Sequence, residues 1–294
     1  MSMESVNKIR HDWAISDAIR DEGLVTPENI KRFDDIVYGP YKENVLDVYC
    51  LKDNIDLLPT IVSIHGGGWV YGDKELYQHY CMALAGRGFT VVNFTYRLAP
   101  ENKYPAQLED IFKVFKWIKE NHDKYFIDIN NLFAVGDSAG GQLLQQSACI
   151  LTNKEYQKLF DFEVVDIKLN AIALNCGVYV LPVSRLLPPN DKTMTKDYLP
   201  DNYQDYLPQF KVNRNITKDY PPTYIMSAYE DFLSFMAKPL YRRLQRIGVE
   251  SKCKIYGEKG NKQIGHVFHL DHRLDEAKIC NDEECAFFRE HLTC

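Results

Sequence analysis

The chain predicts an α/β fold: a mostly parallel sheet covered by helices on both faces. Three observations carry this. Strand-like and helix-like segments alternate along most of the 294 residues. Stretches such as PTIVSIH (59–65) are continuous apolar runs, as in strands buried on both faces. The segment 105–122 carries one apolar stripe at helical spacing: Leu108, Ile111, Phe112, Phe115 and Ile118. In sheets of this kind ligands bind at the carboxyl ends of the strands.

Taken in order, residues 1 to about 32 look helical and precede the first strand. FDDIVYG (33–39) and NVLDVYCL (44–51) read as an opening hairpin, and PTIVSIH as a buried strand. LYQHYCMALAGRG (76–88) is helical and closes on Gly. FTVVNFTY (89–96) is β-branched and aromatic, hence a strand. After the helix over 105–122 come the strand NLFAVGD and the helix SAGGQLLQQSACIL. KLNAIALNC, PPTYIMSA and SKCKIYG are three later strands, with helix KPLYRRLQRIG between the last two. A final helix lies around ECAFFREHL. The domain reading is a helical cap segment at 1–32 and a catalytic domain at 33–294. A cap insert rich in Pro, Tyr and Leu falls at about 180–215, because a structureless loop of that length is unusual inside a compact domain.

Composition narrows the function classes. Hydrophobic residues are 45% and charged residues 26%, as in ordinary globular proteins. A net charge of −6 gives no footprint for nucleic acid. No stretch approaches the length of a membrane span, and MSMESVNKIRHDW lacks the apolar core of a secretory signal. The eight cysteines are scattered without a C-x-x-C pair and read as reduced thiols of a cytoplasmic protein, with no metal framework. Oligomeric state is left open.

The chemistry begins at VGDSAGG. Gly136-Asp137-Ser138-Ala139-Gly140 fits G-x-S-x-G between a strand and a helix. So sharp a turn requires small neighbours and lifts the Ser138 hydroxyl above the sheet edge, at a helix N-terminus that favours developing negative charge. A serine needs a base, and the base an orienting carboxylate. Only His266, His269, His272 and His291 follow Ser138. His266, just past the last strand, is the expected base; Phe268 turns His269 away, and His272 and His291 read as surface residues. Glu230 and Asp231 lie just past PPTYIMSA. Asp231 is favoured, since Phe232 and Leu233 directly behind it would anchor the loop.

HGGGW (65–69) explains itself by the same reaction. It lacks the G-x-x-x-x-G-K-[ST] frame of a phosphate loop. An oxyanion needs prearranged N–H donors, and Gly67, Gly68 and Ala139 are expected to supply them. His65 is expected to tie the loop to neighbouring backbone. Trp69 is expected to line the substrate pocket, with a core position as the alternative, and Phe232 is expected to line it as well.

HGGGW, YRLAPENKYPAQLED, GDSAGG, PPTYIMSAYEDFL and HVF together resemble the hormone-sensitive-lipase-like family of α/β-hydrolase carboxylesterases, from about residue 33 onward. The resemblance implies an eight-stranded sheet with a helical cap, and a Ser138–His266–Asp231 triad. It further implies hydrolysis of short- to medium-chain carboxylic esters, a small-molecule substrate, without a cofactor. Alternatives are a serine hydrolase acting on amide or peptide bonds, and a catalytically inactive binding member of the fold. Two stretches depart from the family pattern. The acid motif reads Asp231-Phe232-Leu233 in place of Asp-Pro-Leu, and GEKGNKQIGH (257–266) is longer than usual, as for a polar rim at the pocket mouth.

Overall fold

A computed structural model describes residues 3–181 and 194–293. Eight strands form one sheet in the order β1-β2-β4-β3-β5-β6-β7-β8. They are β1 (Ile30–Val37), β2 (Val45–Leu51), β3 (Leu58–Ile64), β4 (Thr90–Phe94), β5 (Ile127–Asp137), β6 (Ala171–Asn175), β7 (Thr223–Ala228) and β8 (Ser251–Tyr256). β1 pairs antiparallel with β2, and β2 with β4; every other pairing is parallel. The α/β expectation therefore holds, with antiparallel pairing confined to the hairpin edge.

The sheet separates two apolar cores. β5 shows why: Leu132 and Ala134 point to one face, Phe133 and Val135 to the other, and all four are buried. On the first face lie α3 (Ala106–Asn121), α4 (Ser138–Thr152) and, further along the chain, α8 (Ala237–Arg246). α2 (Lys74–Ala85) and α9 (Asp275–Arg289) cover the other. The α3 stripe read from the sequence, Leu108 to Ile118, is buried throughout.

The two segments outside the alternation differ from expectation in extent. α1 (Met3–Asp21) ends well before residue 32, and β1 starts at Ile30. Val6 of α1 is buried in the core, Ile9 packs against that core, and Trp13 meets Tyr71 edge to face, but this apolar contact is small. Arginines add to it. Arg10 donates to the carbonyls of Val70 (2.8 Å) and Ala99 (3.0 Å) and pairs with Glu101 (2.7 Å). Arg20 pairs with Asp17 (2.8 Å) and Asp21 (2.6 Å) and donates to the Leu76 carbonyl (2.9 Å). Of the expected 180–215 insert, residues 182–193 lie outside the described residues. The rest is short helical pieces, following α5 (Lys154–Gln157): α6 (Met194–Tyr198), a 3₁₀ turn at Tyr203–Tyr206 and α7 (Val212–Asn215). Among the described residues no helix is long and apolar enough to cross a membrane.

One buried ion pair fixes the segment that braces the site. Arg97, after β4, donates to both carboxylate oxygens of Asp110 on α3 at 2.9 Å. Its backbone N–H reaches the same carboxylate at 3.0 Å. Asp110 is fully buried. Asp110→Ala should lower the unfolding free energy by about 3–5 kcal/mol, because it leaves a buried guanidinium without its main partner. Urea denaturation checks this; a change near zero would contradict the assigned role.

Candidate active site

The strand ends converge on a cavity of about 390 Å³ lined by Gly66, Gly67, Gly68, Ser138, Phe232 and His266, among others. Ser138 sits between β5 and α4 with φ +51°, a left-handed conformation uncommon for any residue but glycine. The turn is possible because α4 presses directly on the end of β3. A Cβ on Gly140 would run into the carbonyl oxygen of Ile64, and one on Gly136 into the backbone of Gly140. The small neighbours expected around Ser138 thus have a steric cause.

Ser138 Oγ lies 3.0 Å from His266 Nε2, and His266 Nδ1 lies 2.7 Å from Asp231 Oδ1. A carboxylate only accepts, so Nδ1 carries the proton and Nε2 is free to accept from the serine. Asp231 is fixed in turn by Ser227 Oγ–H (2.6 Å) and the Leu233 N–H (2.9 Å). Burial alone would raise its pKa, but these hydrogen bonds, that of His266 foremost, hold it below the ordinary carboxylate range. Glu230, the other carboxylate considered, turns away and accepts from the Gly260 N–H at 2.8 Å. His269 is fully buried against Tyr80 and makes no contact with Ser138. His272 and His291, expected on the surface, are half-buried, His272 stacking on Tyr80 and His291 tilted against Phe287.

The HGGG loop is aimed through its carbonyls. In a trans peptide the C=O of one residue and the N–H of the next point in opposite directions. The Gly66 carbonyl accepts from His65 Nδ1–H (2.8 Å) and Tyr96 Oη–H (3.3 Å), which turns the Gly67 N–H the other way. The Gly67 carbonyl accepts from the N–H groups of Val70 (3.2 Å) and Tyr71 (3.0 Å), which does the same for Gly68. His65 is buried, and burial lowers its pKa to about 4, so it is a neutral tether as expected. Gly67 and Gly68 have φ of +100° and +60°. Ala139 is buried in the first turn of α4, where backbone N–H groups lack helical acceptors.

The expectation that Trp69 lines the pocket is corrected. Its ring is 4% exposed, stacks on Tyr198 at 4.6 Å and donates from Nε1 to Gln142 (3.0 Å). Trp69 itself has φ +64°, so the buried ring anchors a strained loop end. Phe232 does line the cavity, 68% exposed, with its ring 4.4 Å from that of His266.

Other wall residues escaped the sequence reading. Ser16, Asp17 and Arg20 come from α1, and Met194 from α6. Asp137 and Tyr77 form a buried pair: Tyr77 Oη–H donates to Asp137 (2.8 Å) and accepts from the Gly66 N–H (2.8 Å). Burial raises the Asp137 pKa to about 7. Asp137 was visible inside GDSAGG, but nothing in the sequence pairs it with a tyrosine on another helix. Behind the acid loop, Glu284 accepts from Tyr80 (2.9 Å) and Asn175 (2.6 Å), and burial raises it too to about 7.

Comparison with known proteins gives a consistent grouping. The family model described as alpha/beta hydrolase fold matches residues 61–270. A putative alpha/beta hydrolase of Acanthamoeba polyphaga mimivirus is 25% identical over 85% of this chain and 70% of its own length. A probable carboxylic ester hydrolase, LipM, of Mycobacterium tuberculosis is 30% identical over 68% of the chain and 48% of its own length. The acetyl esterase of Salmonella choleraesuis is 30% identical over 67% and 62%. The chain thus spans less than two thirds of the latter two. Among solved structures, esterase B of Lactobacillus rhamnosis, inhibited with a tributyrin phosphonate, superposes with TM-score 0.86 at 27% identity, covering 99% of this chain and 96% of that one.

Burial lowers the pKa of His269 to about 3 and that of His272 to about 4. Both therefore bind protons more readily unfolded than folded. Their contribution to stability should be full above about pH 6.5 and should fall as pH drops toward those values, opposing buried Asp137 and Glu284, whose raised pKa makes stability fall as pH rises toward 7. His269→Gln should lower the slope of stability against pH by about one proton between about pH 3 and 6.5. Urea midpoints across pH check this, and an unchanged slope would contradict it.

Proposed function

The chain belongs to the alpha/beta hydrolase fold family and groups there with ester hydrolases; on that premise we propose that it is a serine carboxylesterase working through an acyl-enzyme. The observation that carries the proposal is the hydrogen-bonded run from Ser138 through His266 to Asp231, at 3.0 and 2.7 Å.

In this reading His266 Nε2 takes the Ser138 proton as Oγ attacks the ester carbonyl carbon. Asp231 keeps the ring in the required tautomer and balances the imidazolium that forms. The N–H groups of Gly67, Gly68 and Ala139 receive the oxyanion. His266 then hands its proton to the leaving alkoxide, and the alcohol departs. Water repeats the cycle on the acyl-enzyme: His266 takes its proton, hydroxide adds to the acyl carbon, and the carboxylic acid leaves as Ser138 is reprotonated.

Short- to medium-chain acyl groups belong to the same proposal. The cavity of about 390 Å³ suits a small ester, and the sulfur of Met194 sits where a side chain on Gly68 would go, closing the space beside the proposed oxyanion donors. α1 and the described part of the 180–215 insert act as the cap, since Ser16, Asp17, Arg20 and Met194 supply cavity wall. Phe232, exposed beside His266, is the proposed substrate contact of the acid loop. A cytoplasmic location is part of the proposal and rests on the cysteine spacing.

The test is turnover of p-nitrophenyl esters from acetate to laurate. Wild-type protein should hydrolyse the short chains best. Ser138→Ala and His266→Ala should each lower kcat by roughly 10⁴-fold or more, while His269→Ala remains active. Wild-type protein inert on every chain length would refute the proposal, and an active His266→Ala beside an inactive His269→Ala would reassign the base.

A further inference from the structure

Cys176 is not needed for the acyl-transfer scheme, yet it lies against its machinery. It follows β6 directly, is 1% exposed, and has φ +47°. A residue other than glycine in that conformation is strained. Cys176 Sγ, a carboxylate oxygen of Asp231 and a ring nitrogen of His266 all lie within 4.8 Å of one another. Among the described residues this is the one such convergence of at least three His, Cys or acidic side chains. The remaining surroundings of the sulfur are those of a soft ligand. The Val267 N–H points at it, and the thioether of Met226 lies 3.8 Å away; burial and the Asp231 carboxylate keep the thiol protonated until a cation bonds to it.

We propose that Cys176, Asp231 and His266 form an inhibitory site for a thiophilic divalent cation of the Zn²⁺ class. One sulfur, one nitrogen and one carboxylate oxygen make an acceptable ligand set for such an ion, with water as fourth ligand. Thiolate and carboxylate together cancel its two positive charges, which matters where both side chains are buried. The cavity wall includes the His266 ring but neither Cys176 nor Asp231, so the cation reaches them from the cavity only as that ring moves aside.

Binding forms three bonds to the cation. The Cys176 thiol loses its proton to solvent, and the cation bonds to the sulfur. His266 gives up its Nδ1 proton, takes one on Nε2 instead, and bonds to the cation through Nδ1. One Asp231 oxygen takes the third position. Nδ1 and Oδ1 are 2.7 Å apart in the metal-free triad. Two ligands on one tetrahedral zinc sit about 3.3 Å apart. The cation therefore parts the acid from the base and leaves Nε2 protonated, unable to accept from Ser138. This makes the site inhibitory rather than catalytic.

As a means of inhibition the site rests on the ester-hydrolase reading; as a metal site it stands alone. The test uses the full chain with Co²⁺ alone as a spectroscopic probe and Zn²⁺ alone as competitor. Wild-type protein should show a thiolate-to-cobalt charge-transfer band that Zn²⁺ abolishes. Cys176→Ser should lose the band and bind Co²⁺ at least about tenfold more weakly. If Cys176→Ser does not fold, His266→Ala, which removes the nitrogen ligand, should weaken cobalt binding likewise. Zn²⁺ should inhibit wild-type turnover of p-nitrophenyl acetate, reversibly with EDTA, and inhibit Cys176→Ser at least about tenfold less effectively. A wild-type protein without the band, or equal Zn²⁺ inhibition of wild type and Cys176→Ser, overturns the proposal. Cobalt binding with the band but no ester turnover would uphold the metal site and remove the esterase reading.

Discussion

The site depends on one close approach of backbone to backbone, where the first turn of α4 packs on the end of β3. No side chain fits there: a Cβ at Gly140 would collide with the carbonyl of Ile64. That contact forces the turn at Ser138 into a left-handed conformation and brings its hydroxyl beside the loop that continues β3. The hydroxyl and the amides of HGGG become neighbours because two strands adjacent in the sheet, β3 and β5, end at the same level, Ile64 opposite Gly136.

Strain gathers at this edge. Ser138, Trp69, Cys176 and Val267 all have positive φ without being glycine; Ser138 and Cys176 directly follow strands, and Trp69 and Val267 lie in the loops beyond β3 and β8. Such conformations cost on the order of 1–3 kcal/mol each and persist only where the surroundings over-determine them. Here buried polar contacts do so. Trp69 is held by Gln142 and Tyr198, and the Gly66 peptide by His65, Tyr96 and Tyr77. Because these groups fix carbonyls, the opposite amides are oriented before any ligand arrives, which is what stabilisation of a developing oxyanion requires.

Much of this was legible from sequence. Apolar runs and helical stripes follow from burial, and every interior strand was placed by them. Ser138 and Asp231 stood out because each falls just past a strand, and His266 because it lies in the loop that follows the last strand, where the parallel topology must bring loops together. What was missed depends on contacts across the sequence. α1 was read as reaching residue 32, although it docks through a few apolar side chains and through Arg10 and Arg20 to carbonyls, which leaves only a weak hydrophobic pattern. Trp69 next to the glycines looked like a pocket wall; only the packing of Tyr198, far along the chain, shows that it faces inward. Tyr77 and Cys176 carry no local signal at all, since their partners Asp137 and Asp231 lie on other elements.

The central claim is that Ser138 is a nucleophile activated by His266 beside prearranged amides. The most direct measurement is the intact mass and peptide map of the protein after exposure to a p-nitrophenyl alkylphosphonate, which mimics the tetrahedral species and is trapped by the attacking group. The account predicts one adduct per chain, on the peptide containing Ser138, and none on protein lacking the His266 imidazole over the same time. An adduct on another residue, or full ester turnover by protein that never becomes labelled, would contradict it.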